Sequence, residues 1–72
     1  MAVEVNSPME GKVHSFLVEV GDAVEEDEPL LMLEAMKMEV PVVSPVDGTV
    51  KQFCVEVGQS VESDTILAII ED

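Results

Sequence analysis

The chain has 72 residues, with sixteen acidic side chains against three lysines and no arginine, for a formal charge of −13. That length allows one small domain spanning residues 1–72, near the lower limit for folding without staples. The charge disfavours direct binding to nucleic acid or to an anionic membrane, because phosphates are repelled and few cations are available to release counterions.

The chain matches itself at a shift of 37 residues. Residues 7–34 read SPMEGKVHSFLVEVGDAVEEDEPLLMLE, residues 44–71 read SPVDGTVKQFCVEVGQSVESDTILAIIE, and half of the 28 aligned pairs are identical. Val3 with Val40 and Val5 with Val42 extend the match, so the repeats run over residues 2–35 and 39–72. Each opens on a Ser-Pro-x-acid-Gly turn, Ser7 to Gly11 and Ser44 to Gly48, with proline early and glycine where positive φ is expected. A strand pattern follows. Phe16, Val18 and Val20 alternate with Leu17 and Glu19, while Val13 has the opposite parity. Val50 shows the same slip against Phe53, Val55 and Val57, which predicts a one-residue bulge in each strand. Gly21-Asp22 and Gly58-Gln59 mark turns. Short acidic segments around Val24 and Val61 then lead into PLLMLEA and ILAIIED, which read as strands buried on both sides.

No stretch sustains a helical period, and Pro8, Pro29, Pro41 and Pro45 interrupt throughout. The expected fold is all-β, about eight short strands in a flattened barrel or sandwich with an internal pseudo-two-fold axis. Neither half can bury its core alone. In that arrangement the hairpin joining the repeats, Ala35 to Glu39, is the symmetry mate of the chain termini. Lys37 then protrudes at one end, and the termini leave from the other.

Lys37 stands between Met36 and Met38. A lone lysine in a turn is ordinarily a solubilising charge. Two methionines beside it are costly at a solvent-facing tip unless something reads them, and methionine suits recognition by several partners. The motif Glu34-Ala35-Met36-Lys37-Met38-Glu39, with Gly21-Asp22-x-Val24 and Pro45-x-Asp47-Gly48, strongly resembles the biotin carboxyl carrier domains of the biotinyl/lipoyl attachment family, over about residues 3–71. The resemblance implies that a biotin protein ligase joins biotin to the Lys37 amine, with Met36, Met38, Ala35 and Glu34 completing the attachment motif. It further implies that the tethered biotin shuttles activated carboxylate from a biotin carboxylase to a carboxyltransferase, the domain itself being a non-catalytic carrier. The two repeats align without a gap before Gly21, so the chain resembles the class that lacks a protruding "thumb".

Two other readings stay open. Lipoyl domains share the fold and a hairpin lysine, but that lysine is usually flanked by Asp and small residues. A structural or interaction barrel without cofactor would not need Lys37. A small enzyme is disfavoured, since one histidine and one cysteine offer little for a triad or metal site. His14, aligned with Lys51, reads as an outward strand residue. Cys54, aligned with Leu17, reads as a small apolar strand residue and cannot form an internal disulfide. Glu25, Glu26, Asp27 and Glu28 read as a solvated loop. Lys12 and Lys51, on strands, are poor acceptors for a cofactor. The lone cysteine and the lack of a leader or of a long apolar run lead us to expect a reducing, cytoplasmic setting.

Overall fold

A computed structural model describes residues 1–72. Eight strands are present and no helix: β1 (Ala2–Asn6), β2 (Gly11–Phe16), β3 (Ala23–Val24), β4 (Pro29–Ala35), β5 (Met38–Val43), β6 (Gly48–Phe53), β7 (Ser60–Val61) and β8 (Ile66–Glu71). They form two four-stranded antiparallel sheets, ordered β1-β8-β6-β3 and β5-β4-β2-β7. Each sheet takes two strands from each repeat, so neither repeat is a unit that could fold alone. The repeats interlock, and a sandwich results whose inner faces supply the core.

The hydrophobic pattern explains the layers. Val5, Val13, Leu31 and Leu33 from the first repeat, and Val42, Val50, Leu67, Ala68 and Ile70 from the second, are all buried in one cluster. The central strands β4 and β8 are buried on both faces near their starts, at Leu30-Leu31 and Leu67-Ala68. Pairing registers slip between Val13 and Ser15 in β2, and between Val50 and Gln52 in β6. These are the two expected bulges. They return Phe16 and Phe53 to the core side of their strands, where the rings stack on one another with centroids 4.1 Å apart. Two-fold mates in face-to-face contact lie on the symmetry axis itself.

The structure shortens the second strand of each repeat. β2 ends at Phe16 and β6 at Phe53. Beyond them the alternating pattern runs into turns, leaving Val20 and Val57 60% and 58% exposed. Cys54 falls just past β6 and is exposed, so it is not an apolar strand residue. The reason is a subrepeat that alternation concealed. The stretches Val18–Asp22, Val24–Glu28, Val55–Gln59 and Val61–Thr65 are four copies of one turn. In each, the amide of the fifth residue donates to the carbonyl of the second. The amide of the second donates back to a side-chain oxygen of the fifth: Asp22, Glu28, Gln59 or Thr65. The fourth residue has positive φ in every copy, at Gly21, Asp27, Gly58 and Asp64.

These turns also lock the repeats together. Asp27 donates to the Ser44 carbonyl, and Ser44 to that of Glu28. In the mate, Asp64 donates to Ser7 and Ser7 to Thr65. Ser7 and Ser44 are therefore buried without cost in lost hydrogen bonds, since each hydroxyl also donates to a carbonyl two residues on, at 2.6 Å.

A second correction concerns Gly11 and Gly48. Neither has positive φ; that conformation belongs to Gly21 and Gly58. The need for glycine at Gly11 and Gly48 is close approach. A Cβ at Gly11 would lie 2.7 Å from the Glu34 carbonyl oxygen, and one at Gly48 would lie 2.6 Å from that of Glu71.

Candidate functional site

Ala35 and Met38 pair across the end of β4 and β5, so the hairpin between them is a two-residue loop of Met36 and Lys37. Both loop residues are left-handed, with φ of 52° and 66°. Two positive φ values mark a type I′ turn, whose twist matches the flanking strands and whose preferred occupants are Asn and Gly. An L-residue with a side chain pays roughly 1–2 kcal/mol for that conformation. Local propensity would not choose Met-Lys here. The strain indicates that these side chains are present for what they offer outward.

What they offer is exposure. Met36 is 89% and Met38 67% exposed, while Ala35 is buried and anchors the hairpin base. The Lys37 side chain is exposed, and its ammonium forms no ion pair or hydrogen bond within the domain. An amine with four methylenes of reach, nothing holding it and no wall around it can enter another protein's active site and be acylated there. Glu34 and Glu39 are paired across the two strands, with Lys12 next to Glu34 on β2. His14, on the β2 bulge, places Nδ1 4.0 Å from Glu39. Lys12 and Lys51 sit on strands and His14 points to solvent, as their alternation implied. The acidic run Glu25–Glu28 is a turn, exposed at Glu25, Glu26 and Asp27 and half-buried at Glu28.

The two-fold axis relates this hairpin to the termini. Ala35 corresponds to Asp72 and Met38 to Met1, and those two are also joined: the Asp72 amide donates to the Met1 carbonyl at 2.9 Å. Met38 therefore has a mate, and only Met36 and Lys37 lie outside the symmetry. The molecule measures 32 × 17 × 17 Å, with the hairpin at one end and the termini at the other. The Leu17–Asp22 connection is as short as its mate, Cys54–Gln59, so no thumb projects from the first repeat.

Comparisons with known proteins agree with this geometry. Residues 3–70 match the model of a family described as "Biotin-requiring enzyme". Over 33 residues (46% of the chain) it is 58% identical to the biotin carboxyl carrier protein of Streptococcus mutans, covering 25% of that protein. Over 33 residues it is 54% identical to the mitochondrial methylcrotonoyl-CoA carboxylase subunit alpha of Dictyostelium discoideum, covering 5% of it. Over 38 residues it is 53% identical to the methylmalonyl-CoA decarboxylase subunit gamma of Veillonella parvula, covering 30% of it. The crystal structure of Kluyveromyces lactis urea carboxylase superposes with a TM-score of 0.94 at 30% identity, over 99% of this chain and 6% of that one. The chain thus spans less than a third of each of these relatives. Its match to the family model, over nearly its whole length, shows that the chain belongs to the biotin-requiring enzyme family of biotinyl/lipoyl attachment domains.

Proposed function

We propose that Lys37 carries covalent biotin, and that this domain serves as the biotin carboxyl carrier of a biotin-dependent carboxylase or decarboxylase. The observation that carries the proposal is the strained, exposed Met36-Lys37 turn with its unpaired ammonium, at the apex of an otherwise symmetric scaffold. Biotin, when attached, supplies a ureido nitrogen able to hold a carboxylate between two active sites. The residues of this chain supply the rest. Lys37 contributes the nucleophilic amine and a long flexible stem, and the amide that replaces its ammonium removes one positive charge. Met36 and Met38 give the partner enzymes an adaptable apolar grip. Ala35, buried beneath the turn, fixes the direction in which the stem leaves. The two sheets keep the tip rigid, so the tether alone sets the effective concentration at each partner site.

The partners implied are a biotin protein ligase, which recognises the hairpin, then a biotin carboxylase and a carboxyltransferase. Incubating the chain with a biotin protein ligase, ATP and biotin should add one biotinyl group to Lys37, read by intact mass and peptide mapping. A lipoate ligase should add nothing. Lipoylation in place of biotinylation, or failure of both, would overturn the assignment.

A further inference from the structure

A shallow cleft of about 600 Å³ lies beside the hairpin, between the ends of β4 and β7. Gly11, Lys12, Ala35, Met36, Ser60 and Val61 line it, with the carboxylates of Glu10, Glu34 and Glu62 also on its walls. The two-fold axis supplies an internal control. The mate cleft, at the terminal end, is lined by Gly48, Thr49, Lys51, Glu71 and Asp72, none of them a hydrophobic residue. At the hairpin end Asp72 is replaced by Ala35, Thr49 by Lys12 and Ala23 by Ser60, and Met36 has no counterpart. The scaffold is the same at both ends. Only beside Lys37 do hydrophobic residue types, Ala35, Met36 and Val61, join the lining, and of these Met36 is the exposed one.

We propose that this cleft is a resting site for the ring of the biotin tethered at Lys37, an inference that rests on the biotin reading above. The chemistry matches. A biotin ring has an apolar thioether edge, one strong ureido acceptor and two N–H donors, and it is uncharged. The exposed Met36 side chain suits the edge, above the buried Ala35 and Val61. The Lys12 ammonium and Ser60 hydroxyl can donate to the ureido oxygen, and the glutamates can accept from its N–H groups. The same glutamates repel a ring that bears a carboxylate, so the cleft favours the unloaded arm and releases the loaded one.

The test uses the whole chain biotinylated at Lys37, compared with the chain acetylated there, which loses the same charge but carries no ring. Amide NMR shifts at Gly11, Ser60 and Val61 should change in the biotinyl form and not in the acetyl form. The rate of avidin capture should fall in proportion to the undocked fraction; a ring docked about three-quarters of the time slows it about four-fold. Ser60→Glu and Ser60→Asp, opposite Lys12 at an exposed position, should restore fast capture with little change in melting. Shifts confined to Met36–Met38, shifts shared by the acetyl form, or capture rates equal in parent and variants would each overturn the resting site. A chain that no biotin ligase modifies would instead overturn the function proposed above, so the two failures are distinct.

Discussion

The hairpin end and the terminal end of this molecule are built by the same fold and face opposite ways. Leu33 at one end corresponds to Ile70 at the other, Gly11 to Gly48, Glu34 to Glu71 and Ala35 to Asp72. What separates the ends is two residues, Met36 and Lys37, and a few substitutions around them. The terminal end is conventional: Met1 and Asp72 hydrogen-bond each other, and Lys51 pairs with Glu71 at 3.5 Å. The hairpin end accepts strain, an exposed Met36 that has no counterpart, and two glutamates in cross-strand register, an arrangement that is locally unfavourable. Equal scaffolds with unequal ends separate the features that stability explains from those that the proposed carrier role would need.

The comparison can be broken most sharply at Lys37. Lys37→Arg should keep the charge and the melting temperature but abolish biotinylation completely, since a guanidinium does not act as the acyl acceptor; mass spectrometry and a thermal melt check both halves. Next come the mates in the core. Leu33→Ala and Ile70→Ala should each cost about 2–5 kcal/mol in denaturant unfolding, because both side chains are fully buried. A large difference between them would show that the two ends are not energetically equivalent. Gly11→Ala and Gly48→Ala should each cost about 1–3 kcal/mol, because the new methyl meets a backbone carbonyl that cannot move freely. Replacing Met36-Lys37 with Asn-Gly should have the opposite sign, stabilising by about 1–2 kcal/mol as the turn strain is relieved, while removing the acceptor amine. Met36→Leu and Met38→Leu should change stability by less than about 0.5 kcal/mol and yet alter carboxylation rates with the partner enzymes.

A smaller effect belongs to the terminal end. Asp72 is held below its ordinary value, chiefly by the hydrogen bond from the N-terminal ammonium. Its contribution is therefore present above the ordinary aspartate range and lost as pH falls through the lowered value. Because the group is exposed the effect is slight. It should be visible only as a difference between the parent and Asp72→Asn that fades on acidification.

Much of this was legible in the chain. The 37-residue repeat predicted the two-fold axis, the parity slip at Val13 and Val50 predicted both bulges, and the isolated Lys37 marked the hairpin. Three local readings failed, Cys54 and Val20 with Val57 for one reason and the glycines for another. Val20 and Val57 satisfied the period-two pattern, but a Val-Glu-x-x turn begins at Val18 and Val55, and its side-chain hydrogen bonds outweigh the alternation. Gly11 and Gly48 were expected to provide positive φ, but their role is to let a neighbouring strand approach, which no local pattern records.

By itself, then, the sequence determined the strand count, the symmetry and the place of the lysine, because periodicity and self-similarity are properties of the chain alone. Tertiary structure decided which strands pair across the repeats, that Phe16 and Phe53 meet on the axis, and that the clefts at the two ends are lined by different residues. These depend on groups distant in the chain being brought together. Hydrophobic burial and backbone hydrogen bonding select among the possible pairings only when the whole molecule is assembled.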